Sequence, residues 1–194
     1  MKVAIVKYNA GNTTSVANAL ARLGIDAIIS DDAEVVSSAD RVIFPGVGEA
    51  STAMDHLRAQ GLVEIIKSLR QPVLGICLGM QLLCESSEEN GADCLRIIPY
   101  RVKRFSSESV KVPHVGWNTV YGFSSPLFER IDEGEHFYFV HGYFVEVGDK
   151  TTATCSYDHR FSAAIQYENF HAVQFHPEKS GIAGQLILEN FLRL

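Results

Sequence analysis

Residues 72–89, PVLGICLGMQLLCESSEE, decide the fold. Val73, Leu74 and Ile76 form a short apolar run that predicts a buried strand. Pro72 suits its entrance, having no amide to give to a ladder. Gly75-Ile76-Cys77-Leu78-Gly79 follows, and Met80, Gln81, Leu82, Leu83 and Glu85 then read as helix. Strand, Gly-x-Cys-x-Gly and helix in immediate succession form the pattern of a nucleophile elbow, with sulfur in place of the serine oxygen. The backbone crowds itself at so sharp a turn, so the residues two before and two after the nucleophile must be small. The turn also sets the side chain at the positive end of a helix, which favours thiolate over thiol. Leu78, at the helix start, keeps an amide free to donate to an oxyanion. A lone cysteine is better read as a core residue; the flanking glycines tip this one towards catalysis.

The rest of the composition narrows the class. A chain of 194 residues predicts one domain, spanning 1–194, that can bury a proper core. The content, 46% hydrophobic and 21% charged, is that of a soluble globular protein. A net charge of −6 and the lack of a basic stripe argue against nucleic-acid binding. No run of eighteen apolar residues is present to span a membrane. The opening MKVAIVKYN is too short for a signal peptide and reads as a first strand. Cys77, Cys84, Cys94 and Cys155 show no zinc spacing and predict free thiols in a reducing cytoplasm, with no metal and no cofactor.

Outward from the elbow, the pattern predicts an α/β fold with a mostly parallel central sheet, flanked by helices and extended by antiparallel strands. Val3–Val6 is a strand and Tyr8-Asn9-Ala10-Gly11-Asn12 a polar turn. A helix over 13–23 follows, with Val16, Ala17, Leu20 and Leu23 on its apolar face, and it stops at Gly24. Ala27–Ile29 and Arg41–Phe44 are further strands, and 49–70 is helix broken near Gln60-Gly61. Strand–helix alternation of this kind puts chemistry beyond the carboxyl ends of the strands. Pro45-Gly46-Val47-Gly48 lies at such an end. It lacks the spacing of a dinucleotide fingerprint, and it reads either as a plain turn or as a flexible strip whose amides add a second oxyanion donor.

Ser86–Asp93 is a polar, acidic stretch expected to be a solvated loop. From Leu95 to Val173 the texture turns β-branched and aromatic. Strands are expected at Arg96–Ile98, Arg101–Phe105, Asn118–Tyr121, Phe137–Val140, Phe144–Val147, Ala153–Ser156 and Ala163–Gln166. Pro113–Asn118, with the single tryptophan Trp117, and the strand end at His141 are polar interruptions. His171–Phe175 is a last strand, and His176-Pro177-Glu178-Lys179-Ser180 follows at once. His176 therefore stands on the same sheet edge as Cys77. Pro177 is expected to keep the backbone extended, so that His176 and Glu178 project together. An imidazole oriented by a carboxylate is the base that a cysteine nucleophile requires. Ser180 suits the N-cap of a closing helix in which Ile182, Leu186, Ile187, Phe191 and Leu192 face the core.

Cys77 in GICLGMQ together with a terminal strand and His-Pro-Glu resembles the class I (triad) glutamine amidotransferases. YNAGNTTSV, PGVG, IIPYRVKRF, PHVGWN, FYFVHGY and FHPEKS narrow the resemblance to the glutaminase subunits of imidazole glycerol phosphate synthase, over essentially the whole chain. Tyr100 departs from it, standing where such proteins tend to have glycine. The resemblance implies a flavodoxin-like fold and hydrolysis of L-glutamine by Cys77, His176 and Glu178. It implies an oxyanion site of Leu78 with Gly46, Val47 or Gly48, and substrate contacts from Gln81, Glu89, His141 and Tyr143. It also implies a separate (β/α)₈-barrel cyclase subunit that uses the ammonia on the nucleotide PRFAR, giving imidazole glycerol phosphate and AICAR. Trp117, Tyr138 and Lys179 are the implied docking residues. A stand-alone γ-glutamyl cysteine hydrolase and the glutaminase of another ammonia-using synthase are the alternatives; a non-catalytic module is disfavoured by the intact triad.

Overall fold

The structure, a computed structural model, describes residues 1–9, 12–106, 108 and 110–194. Short, largely apolar runs build the centre. β1 (Val3–Val6) lies between β2 (Ile28–Ser30) and β3 (Arg41–Gly46), and β3 pairs with β4 (Val73–Cys77), all parallel. β13 (Phe170–Val173) returns from the far end of the chain to pair in parallel with β4, from Phe170 opposite Val73 to Val173 opposite Ile76. β1, β4 and β13 are buried at every position, as strands covered on both faces must be. That register brings the residues after β4 and those after β13 to one edge.

Beyond β13 the direction alternates. β12 (Arg160–Tyr167), β11 (Thr151–Ser156), β8 (His114–Tyr121) and β9 (His136–His141) continue the same sheet in antiparallel fashion, giving the order β2-β1-β3-β4-β13-β12-β11-β8-β9. α2 (Ala33–Ser37), α3 (Ala50–Ala59), α4 (Leu62–Ser68) and α5 (Leu78–Leu83) pack one face, with Ala4, Val6, Val42 and Phe44 of the sheet. α1 (Thr13–Arg22) and α6 (Gly181–Arg193) pack the other through Val16, Leu20, Ile187 and Phe191, beside a ring cluster of Phe128, Phe137, Phe139, Phe161 and Phe175. A small second sheet has the order β10 (Tyr143–Val145), β7 (Arg101–Arg104), β5 (Ser86–Ser87), β6 (Ala92–Asp93).

Several expectations from sequence are corrected. Ser86–Asp93 is not a solvated loop: it contains β5, a 3₁₀ turn at Glu89–Gly91 and β6, with Ser87 and Ala92 buried. Arg96–Ile98 is not a strand. Its amides donate to the carbonyls of Leu83 and Cys84, closing the end of α5, which stops before Glu85. Pro45-Gly46 is part of β3 rather than a turn, Gly46 lying opposite Cys77. Pro113–Asn118 is largely strand, since β8 begins at His114. Pro177–Lys179 is a 3₁₀ turn, not extended backbone. Ser180 does not cap α6; its hydroxyl donates to the His176 carbonyl at 2.6 Å and accepts from the Tyr138 amide at 3.0 Å.

Ile182 faces solvent, 82% exposed, because α6 is turned to bring Gly184 against the Pro177 carbonyl, where no side chain fits. In α1, Ala19 is buried and Ala17 only partly so, as is Leu23 just past its end. Ala10 and Gly11 of the expected polar turn lie outside the described residues.

Candidate active site

The elbow is built by crowding. Cys77 has φ 53° and ψ −107°, a conformation that costs a side-chain-bearing residue of order 1–3 kcal/mol. A Cβ on Gly75 would sit 2.8 Å from Leu83 Cδ1, and one on Gly79 would run into the Phe44 carbonyl. Cys77 ends β4 and precedes α5 directly, so the Leu78 amide is the first of that helix and has no carbonyl four residues back to bond. The sulfur rests between the Val140 carbonyl, 3.7 Å away, and the Gln174 amide nitrogen, 3.6 Å away.

His176 and Glu178 meet behind it. The 3₁₀ turn lets the carboxylate fold back onto the ring: His176 Nδ1 and Glu178 Oε1 are 2.7 Å apart, with both side chains fully shielded from solvent. Asn12 Nδ2 also donates to Oε1, at 2.7 Å. Nε2 of His176 is buried and makes no hydrogen bond among the described residues. Burial works against charge on this imidazole, but the Cys77 sulfur and the Glu178 carboxylate outweigh it and raise its pKa to about 10. Burial likewise pushes the Glu178 carboxyl up, yet the bonds from His176 and Asn12 hold it below its ordinary value. The ring therefore has its orientation fixed at Nδ1 and offers Nε2 for proton transfer.

In front of the elbow is a cavity of 550 Å³ lined by Val47, Gly48, Cys77, Leu78, Gln81, Glu89, His141, Tyr143 and Lys179, with Pro113, Val140 and Gly142. Glu89 accepts from the Ala50 amide at 2.7 Å; partial burial pushes its carboxyl up, against that bond. Gln81 spends its amide nitrogen internally, on the Tyr143 carbonyl at 3.0 Å and on Gln174 Oε1 at 2.9 Å. Only its oxygen is left for a ligand. His141 Nδ1 donates to that same Tyr143 carbonyl at 2.7 Å, so its Nε2 must accept from His114, 3.0 Å away. Burial holds both histidines neutral, with pKa values near 3 for His141 and 4 for His114. Among the described residues, no group of three or more His, Cys, Asp or Glu side chains is placed to hold a metal ion.

A model of the family "Glutamine amidotransferase class-I" matches residues 4–194. The chain belongs to the class I glutamine amidotransferases. Within that family it is 59% identical to the imidazole glycerol phosphate synthase subunit HisH of Bacteroides thetaiotaomicron, each chain covered in full. It is 47% identical to HisH of Salmonella typhimurium over the same share of both, and 46% identical to HisH 1 of Vibrio vulnificus over 100% of this chain and 98% of that one. A putative GMP synthase protein from Thermoplasma acidophilum has the same fold, with a TM-score of 0.77 at 21% identity over 100% of this chain and 93% of that one. PurLQS of Thermotoga maritima does so with a TM-score of 0.74 at 17% identity, over 99% and 97%.

Set against the sequence reading, this amidotransferase brings Val47, Gly48, Cys77, Leu78, Gln81, Glu89, His141, Tyr143 and Lys179 to one cavity, with His176 and Glu178 directly behind Cys77. Gly46 is not on the cavity wall; it is packed in β3 under Tyr8 and Leu78. Trp117 and Tyr138 lie on the outer surface, edge to face at 6.1 Å, with Lys179 Nζ 5.8 Å from the Tyr138 ring. Trp117 is 56% exposed and so is not a core residue. Three site residues went unread in the sequence. Asn12 holds Glu178, Gln174 touches the sulfur, and Tyr8 donates to the Pro45 carbonyl at 2.7 Å. The visible signal for Gln174 was a polar residue inside an apolar strand, two positions before the histidine.

Proposed function

We propose that this chain is the glutaminase subunit of an imidazole glycerol phosphate synthase, acting in the cytoplasm beside a (β/α)₈-barrel cyclase. The observation that carries the reading is a strained cysteine elbow backed by a buried, carboxylate-oriented imidazole, at the floor of a cavity that also holds a carboxylate, Glu89.

The chemistry follows from the groups present. The Cys77 thiol gives its proton to His176 Nε2, and the thiolate attacks the side-chain carbonyl of L-glutamine. The oxyanion accepts from the Leu78 amide and from an amide of the Val47–Gly48 strip, each donor lowering the barrier by roughly 2.7–4 kcal/mol. His176 returns its proton to the amide nitrogen, which leaves as ammonia, and a thioester remains on Cys77. A water molecule, deprotonated by His176, then releases glutamate. Glu178 keeps the imidazole in one tautomer and stabilises its cation. The Glu89 carboxylate and the Gln81 oxygen suit the substrate α-ammonium.

An exposed set of large apolar side chains supports a protein partner: Val115 at 57%, Trp117 at 56% and Ile182 at 82%. The test is synthesis by the reconstituted pair of subunits. Cys77→Ala should abolish glutamine-dependent synthesis while leaving synthesis from added ammonia, whose rate should rise with pH towards the ammonium pKa. Failure with both nitrogen sources would place Cys77 in assembly rather than in nitrogen supply. Full glutamine turnover without cyclase or nucleotide would instead favour a stand-alone hydrolase.

A further inference from the structure

Gln174 is completely buried in an otherwise apolar segment, and such an amide needs partners for both its ends. Its orientation can be deduced. The Tyr143 carbonyl can only accept, so the Gln81 group 3.0 Å from it must be the amide nitrogen. The same nitrogen lies 2.9 Å from Gln174, which must therefore turn its oxygen to Gln81. This leaves Gln174 Nε2 aimed at Cys77 Sγ, 3.6 Å away. The other contact of the sulfur, with the Val140 carbonyl, needs a thiol proton to exist. Of these two contacts, only the one with Gln174 survives when that proton leaves.

We propose that Gln174 is a further residue of the nucleophile's machinery, a buried amide held by Gln81 that donates to Cys77 Sγ and favours its thiolate. The proposal rests on the reading of Cys77 as nucleophile. A donor to a sulfur anion is a charge-assisted bond, stronger than the same donor to a neutral thiol. Because Gln81 also faces the cavity, the amide chain Tyr143–Gln81–Gln174–Cys77 runs from the substrate site to the sulfur without passing through His176.

The test is the pH dependence of Cys77 alkylation by iodoacetamide, located by mass spectrometry, which needs no glutamine turnover. Other titratable groups face this sulfur: His176 with Glu178 behind it, Tyr8 just past β1, His141 at the end of β9 with His114 beyond, and Glu89 and Lys179 on the cavity wall. All stay in place in the variants. Burial holds the thiols of Cys94 and Cys155 up near 12 and that of Cys84 higher still, so they serve as silent internal controls.

Gln174→Met keeps the bulk and removes the donor. Its alkylation midpoint should rise by about one pH unit, a roughly tenfold loss of thiolate at a fixed pH below the midpoint. Gln81→Met frees the Gln174 amide and should move the midpoint the same way by less. An unchanged midpoint in folded Gln174→Met would overturn the proposal. Should that variant not fold, an unchanged midpoint in Gln81→Met would do so. Failure of the wild-type protein to label first at Cys77 would instead strike at the nucleophile reading itself.

Discussion

The elbow at Cys77 and the strip at Val47–Gly48 face each other across one cavity, yet they use glycine for opposite reasons. At Gly75 and Gly79 there is no room: a Cβ would meet Leu83 or the Phe44 backbone. At Gly48 nothing among the described residues lies within 4 Å of an added Cβ, and what disfavours other residues is the backbone itself, at φ +114°. Gly46 marks the boundary, being packed against Tyr8 and Leu78, and the Tyr8 hydroxyl pins the carbonyl just before it. The nucleophile is thus fixed by close packing, which yields only in large steps. On the function proposed above, the second oxyanion donor would be set by a local backbone conformation that a peptide flip can change. A rigid attacking atom beside an adjustable oxyanion site would allow output to be controlled without moving the nucleophile, which is what the following variants test.

The sharpest way to break this comparison is Gly79→Ala. Its methyl group meets a carbonyl rather than a movable side chain, so the cost should reach the upper end of overpacking, about 3 kcal/mol. For a chain of this length that is a fall in Tm of roughly 6–12 °C, accompanied by loss of Cys77 labelling. A variant that melts and labels like the parent would show the elbow to be less tightly packed than described.

Gly48→Val should behave in the opposite way. No described neighbour clashes with the new side chain, but φ +114° strains it, so Tm should fall by a few degrees, less than in Gly79→Ala. Glutamine turnover should instead lose its response to the liganded cyclase, the ratio of stimulated to basal rate falling at least ~10-fold. A parent-like ratio would make the strip a simple turn.

The acid–base pair gives a third test through pH. The folded pKa of His176 is raised to about 10, above the unfolded value of 6.5. The stability it contributes is therefore fully present below pH 6.5 and fades as pH climbs towards 10. Glu178, whose folded pKa is lowered, sets the acid limit: its contribution is lost as pH falls through that lowered value. Thermal melts across pH 6.5–10 should show a decline in the parent that is much flatter in Glu178→Gln. Equal slopes would mean that the pair is not charged in the folded protein.

The smallest effect on the fold is expected from Trp117→Ala. At 56% exposure the indole contributes little to stability, within about 1 kcal/mol. Binding of the cyclase, followed by titration, should weaken by about 2 kcal/mol if the ring is an interface anchor. Unfolding of the variant would show that the indole supports the fold rather than an interface.

What the sequence determined by itself was local. Gly-x-Cys-x-Gly between an apolar run and a helix, the central strands, and His-Pro-Glu after a strand were all readable, because crowding, side-chain period and proline geometry act within a few residues. Parallel pairing then forced the two motifs to one edge. Only the tertiary structure decided what meets across long separations. Asn12 bonds Glu178 across 166 positions and Gln174 meets Cys77 across 97, contacts set by strand order that no local period records. The same holds for α6: Ile182 looked like core by spacing, but the close approach of Gly184 to Pro177 rotated the helix and turned Ile182 outward. Ser86–Asp93 looked solvated by charge, and became sheet because β7 was there to pair with it. Apolar period shows that a face is buried, while the partner that covers it fixes which face that is.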